Sequence, residues 1–116
     1  MPDSPKPAVE VFFTPEFKRN IRALAKKYHH IQSDVQPFID QIQRGELIGD
    51  KVQRTGYTIF KVRIRNSNVS RGKSGGYRVI YYLKTATVVI LVTIYSKTEQ
   101  SDISSAKIKK ILSEFK

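Results

Sequence analysis

The sequence contains no cysteine. Disulfides, thiolate zinc sites and cysteine nucleophiles are excluded, and a reducing, cytoplasmic setting is expected. It has no apolar run of about 18 residues, so no membrane-spanning helix is expected. The opening MPDSPKPAVE carries prolines and acids but no apolar core, which is not the pattern of a secretory signal. Residues 1–8 read instead as a disordered arm. One further scarcity is local: no acid occurs between Lys51 and Thr98, and all ten acids of the chain lie outside that stretch, with Asp50 and Glu99 as its borders.

What is present is basic. The 116 residues hold 21 Lys and Arg against ten acids, a net charge of +11. Ten of the basic residues fall inside the acid-free stretch. A solvated surface usually intersperses the two signs, so this distribution implies an acidic partner: nucleic acid, an anionic membrane or an acidic protein. The length suits one domain with a single core, assigned to residues 9–116.

Within the stretch, RGKSGGYRVIYY (Arg71 to Tyr82) contains Gly-Lys-Ser. A phosphate-cradling loop needs a glycine five residues before that glycine and a helix after the serine. Position 67 is Ser67, and the residues that follow are β-branched and aromatic, the composition of a strand. A nucleotide site is therefore not expected. The loop reads as a flexible, basic hairpin connection.

The periodicities lay out the rest. VEVFF (Val9 to Phe13) reads as a strand. Thr14, Pro15 and Glu16 form a helix start, and Phe17, Ile21, Leu24, Ala25, Tyr28 and Ile31 recur on one helical face. Ser33 with Gln36 predicts a capping box for a second helix through Val35, Phe38, Ile39 and Ile42, with Pro37 early and Gly45 at the end. The period then changes to two. KVQRT predicts a short edge strand turned at Gly56, and TIFKVRIRN, YRVIYYL and TVVILVTIY predict three more, the last apolar enough to be interior. SDISSAKIKKILSEF predicts a capped helix with an Ile108, Ile111, Leu112 and Phe115 stripe. The expected class is α+β, two layers: a twisted antiparallel sheet of four to five strands, an N-terminal helical hairpin and a C-terminal helix, with the helices mainly on one face.

FKVRIR is the most informative stretch. Lys61, Arg63 and Arg65 alternate with Phe60, Val62 and Ile64, so three cations share one sheet face about 7 Å apart. Unpaired like charges cost stability unless a polyanion lies across them. Arg78 can join the row from the next strand, with Arg71 and Lys73 closing over from the loop. Tyr81, Tyr82 and Tyr95 lie on neighbouring strands, and aromatic rings stack on the bases of single-stranded RNA. An edge strand kept soluble by charge is the plain structural alternative. His29 and His30 read as surface residues, and Glu99 and Asp102 as caps of the last helix or as aids to catalysis.

FKVRIRNS, RGKSGGYRVIYY and TIYSKTEQSDI together resemble the RelE family of bacterial toxins, and most of all its HigB branch, over Val9 to Leu112. The resemblance implies a toxin of a toxin–antitoxin pair. Many members enter the ribosomal A site and cleave translated mRNA; a related branch, ParE, inhibits DNA gyrase; a small antitoxin protein neutralises them. It implies no metal and no nucleotide or other cofactor. It also implies site roles: Lys61 activates the attacking ribose 2′-hydroxyl, Arg63 grips the phosphate and Arg78 stabilises the transition state. Crowding by Arg63, Arg65 and Arg78 would favour a neutral amine at Lys61. The sequence departs from the family at two positions, where Thr98 and Ser104 stand in place of an arginine and a tyrosine. Tyr95, Lys97 and Lys73 are candidate substitutes, and Arg65, Arg71 and Tyr82 candidate RNA contacts. Three readings follow: an endoribonuclease, a gyrase-type inhibitor without nuclease activity, and an inactive relative that binds only its antitoxin.

Overall fold

The computed structural model describes residues 8–69 and 76–115. Residues 1–7 of the expected arm, and Arg71 and Lys73 of the basic loop, lie outside the described residues. The elements follow the expected order: β1 (Glu10–Phe13), α1 (Pro15–Lys27), α2 (Ile31–Gln43), β2 (Asp50–Val52), β3 (Ile59–Ile64), β4 (Tyr77–Thr85), β5 (Val88–Ser96) and α3 (Ser105–Ser113). Among the described residues, no helix is long and apolar enough to cross a membrane.

The five strands form one sheet in the order β1-β5-β4-β3-β2. The pairs β2–β3, β3–β4 and β4–β5 are antiparallel. β1 joins β5 in parallel, which makes the sheet mixed rather than wholly antiparallel. The helical pair carries the chain from β1 to β2 at the opposite edge, where it runs against β1, and three antiparallel reversals then bring β5 back beside β1 in the same direction. β5 is interior, with partners on both sides, and its residues from Val89 to Ser96 are buried.

The pleat divides the core in two. Val62 and Ile64 of β3, Tyr77, Val79 and Tyr81 of β4, and Val89 and Leu91 of β5 face α1 and α2, where they meet Phe17, Leu24, Ile31, Val35, Phe38 and Ile42. Ile59, Ile80 and Val92 face the opposite side and meet Ile108, Ile111 and Leu112 of α3. Two helices thus form one layer, and α3 adds a partial third layer across the sheet. Its apolar stripe has no other surface to cover, and each buried aliphatic side chain contributes roughly 1.5–3 kcal/mol.

Local chemistry sets the helix ends. Thr14 caps α1: its Oγ1 accepts from Phe17 N–H at 3.0 Å and donates to the Val92 carbonyl at 2.7 Å. That second bond satisfies β5 where β1 has ended. The Ser33 capping box does not form. α2 starts three residues earlier, with His30 rather than Ser33 at the cap and Ile31 as its first residue, because the Ile31 side chain is fully buried and draws the first turn onto the sheet. Ser33 lies inside the helix, and its hydroxyl donates to the His30 carbonyl. Gly45, at φ +89°, ends α2 as expected. Its N–H donates to the Ile42 carbonyl and that of Glu46 to the Gln41 carbonyl, a Schellman motif.

Candidate active site

The site is built on the same face of the sheet as α3, on the part that α3 leaves uncovered. Arg63 is the register partner of Arg78, and Arg78 that of Tyr95, so three strands present one row across this face. Lys61 lies two residues from Arg63 on the same face and pairs in register with Asp50 of β2. Tyr95 reaches this face through a break in alternation. The β4–β5 register shifts between Ile80 and Tyr81: Ile80 opposes Thr93, while Tyr81 opposes Leu91. The extra residue in β5 turns Ile94 into the core beneath α1 and α2 and leaves Tyr95 beside Arg78. Without this bulge, the parity of β5 would send Tyr95 to the other face.

Asp50, Lys61, Arg63, Arg78 and Lys97 line a cleft of about 230 Å³. Four of its five lining side chains are cations. Arg78 is the most buried, at 8% exposure, and its Nη1 makes one long bond, 3.4 Å, to the Tyr77 carbonyl. Among the described residues it has no ion-pair partner. Lys97 Nζ donates to the Ser101 carbonyl at 2.7 Å. The Tyr95 hydroxyl is buried and, among the described residues, has no hydrogen-bond partner. Burial raises its pKa first, the negative charge of Asp102 raises it further, and the Arg78 guanidinium pulls the other way. A donor so placed stays protonated at neutral pH.

Lys61 is not surrounded by cations alone. Its Nζ donates to Asp102 Oδ1 at 2.9 Å, an ion pair that the expected crowding by arginines did not anticipate. The bond from Lys61, then the one from Ile103 N–H, holds the Asp102 carboxyl below its ordinary pKa. Asp102 does not cap α3. Ser104 does, accepting from Lys107 N–H at 3.1 Å, and Glu99 pairs instead with Lys27 at 3.0 Å.

The structure therefore brings together Lys61, Arg63, Arg78 and Lys97, with Tyr95 beside Arg78. Arg65 lies one residue past the end of β3, exposed and outside the cleft lining. Tyr82 is half-buried against Tyr57, their rings edge-on at 5.2 Å, and belongs with the α3 core. Tyr81 is fully buried on the opposite face, stacked on Phe60, with its hydroxyl bonded to the Ile48 backbone. His29 and His30 are exposed, as expected. His30 also ties the α1–α2 turn to the β3–β4 connection: its N–H donates to Asn68 Oδ1 at 2.8 Å, and Asp34 takes the Ser67 N–H at 2.9 Å. Asp50 and the Asp102–Lys61 pair were not legible as members of the cleft. For Asp50 the only hint was its place at the border of the acid-free stretch, whereas Asp102 reads from the sequence as a cap of the last helix or an aid to catalysis, without its partner Lys61.

The family model described as the RelE toxin of the RelE/RelB toxin–antitoxin system matches residues 9–114. The match takes in every strand and helix described above, including the four cations of the cleft. The chain belongs to the RelE toxin family of RelE/RelB toxin–antitoxin systems.

Proposed function

We propose that this protein is a ribosome-dependent endoribonuclease that cleaves translated mRNA in the cytoplasm and is neutralised by a cognate antitoxin. The observation that carries the reading is the cleft lined by Lys61, Arg63, Arg78 and Lys97. The reaction needs no redox step. The ribose 2′-oxygen forms a bond to the adjacent phosphorus, the bond to the 5′-oxygen breaks, and one proton passes from the first oxygen to the second. A 2′,3′-cyclic phosphate and a 5′-hydroxyl result. Lys61, held as an ammonium by Asp102, activates the 2′-hydroxyl by donating to its oxygen and stabilising the negative charge that develops as the proton leaves, Arg63 holds the phosphate, and Arg78 stabilises the extra negative charge of the phosphorane. A nearly buried guanidinium is well suited to that last role, because charge stabilisation strengthens where water is excluded. Lys97 supplies a fourth cation on the β5 side.

One observation keeps a second reading in view. Ser104, at the family's tyrosine position, is committed to capping α3, and Thr98, at the arginine position, is exposed and bonded to Ser96. A gyrase-type inhibitor or an antitoxin-binding relative without nuclease activity would tolerate both changes. Mapping mRNA 5′ ends on translating ribosomes decides between them. Wild type is expected to produce new cuts, and Lys61→Ala/Arg78→Ala none. Growth arrest without cuts would establish the inhibitor, and neither arrest nor cuts the inactive relative.

A further inference from the structure

Among the described residues, the carboxylate that pairs with Lys61 comes from the connection between β5 and α3. That connection is braced. Lys97 Nζ bonds the Ser101 carbonyl at 2.7 Å, and Gln100 Nε2 bonds the Asp102 carbonyl at 3.0 Å. Ile103 packs against the Ile59–Ile80–Val92 cluster, and Ser104 caps α3 immediately after. Asp102 therefore stands one residue from a core contact and two from a helix cap. Its own Oδ1 takes the Ile103 N–H at 2.8 Å, which fixes the carboxylate before it meets Lys61.

Lys61 needs such a holder. Its four-carbon stem is flexible. Its cleft neighbours Arg63, Arg78 and Lys97 all repel it, and its side chain is 35% exposed, so solvent is open to it. Asp50, its register partner, lies beyond ion-pair distance. We infer that Asp102 is a positioning residue for the proposed cleavage, holding the Lys61 ammonium over the cleft so that Nζ meets the ribose of an RNA bound by Arg63 and Arg78. This role rests on the endoribonuclease reading. It makes the docking of α3 a determinant of activity, because the packing of Ile108, Ile111 and Leu112 sets where Asp102 stands. A simple bystander acid in a cationic cleft predicts the opposite behaviour: removing it would only improve RNA binding.

The experiment compares wild type, Asp102→Asn and Asp102→Ala for RNA affinity and for cleavage rate on ribosomes at saturating enzyme, with folding checked by circular dichroism. Both variants lose the same charge, but only asparagine keeps an oxygen at the Oδ1 position. Affinity is expected to rise in both. The cleavage rate is expected to fall about 100-fold in Asp102→Ala, the scale of a misplaced catalytic group, and less in Asp102→Asn. In a Lys61→Ala background, Asp102→Ala should have no further effect. Equal rates for alanine and asparagine, or an alanine variant as fast as wild type, would overturn the positioning role while leaving the nuclease reading intact. Absence of cuts by wild type would overturn the nuclease reading, and this role with it.

Discussion

Replacing Arg78 with methionine is expected to make this protein more stable and inactive at once. Arg78 is 8% exposed, sits opposite Arg63 in register, and has one long bond to the neighbouring carbonyl. Like charges directly opposite on a sheet cost about as much as favourable cross-strand pairs contribute, roughly 0.2–1 kcal/mol. Taking most of the guanidinium's stem and head out of bulk water adds a desolvation cost, on the order of 1 kcal/mol because its nitrogens still reach the cleft. Methionine keeps the length of the apolar stem and removes both penalties, whereas alanine would also lose the packing of the stem. Part of the gain is offset by repacking, which leaves a net stabilisation of about 1 kcal/mol. For a domain of this size that raises Tm by about 4 °C. Cleavage should meanwhile fall by 10²–10³, the usual effect of deleting one group that stabilises transition-state charge. Urea denaturation gives the first quantity, and primer extension on translating ribosomes the second. A less stable Arg78→Met protein would show that the guanidinium is satisfied in a way the geometry does not reveal. A folded variant that still cuts at the wild-type rate would remove Arg78 from the reaction.

Two further perturbations test the scaffold. Thr14→Ala deletes both the cap of α1 and the donor to the Val92 carbonyl. The expected cost is about 2–3 kcal/mol in urea denaturation, with Thr14→Ser retaining most of the stability; a cost below about 0.5 kcal/mol would mean that water replaces both bonds. Tyr77, Tyr81 and Tyr95 all have pKa values raised, chiefly by burial. A raised folded-state pKa contributes stability that is whole below the unfolded value, near 10, and is lost as pH rises through the folded values. The urea midpoint should therefore drop between pH 8 and pH 11. Tyr77→Phe, which deletes a buried hydroxyl that has no partner among the described residues, should lessen that drop without loss at pH 8; an equal drop would assign it to other groups.

Much of this fold was legible because its periodicities are strong. Phe17 to Ala25 could only be one face of a helix, although Ile31, counted with that face, opens α2 instead because α1 ends at Lys27, and FKVRIR could only be a strand with a basic side. Family resemblance then singled out Lys61, Arg63 and Arg78, which the structure gathers in one cleft. Other features were not legible, for identifiable reasons. The start of α2 competed between a local signal, Ser33 with Gln36, and a tertiary one, the burial of Ile31, and burial won. The face of Tyr95 depended on a one-residue bulge, which a count of alternating residues cannot see. The roles of Tyr81 and Tyr82 depended on which core each entered, since both rings suit stacking equally well.

The sequence by itself determined the class of the fold and the strand that carries the cations, and it set the expectation of an acidic partner. Charge and period are properties of residues taken in order. Only the tertiary structure decided that the cationic cleft holds acids. Asp50 arrives by strand pairing, and Asp102 arrives because α3 crosses the sheet and brings its connection down beside Lys61. Residues 41 apart in the chain meet through the packing of apolar side chains that neither of them contains. No local pattern encodes such a meeting.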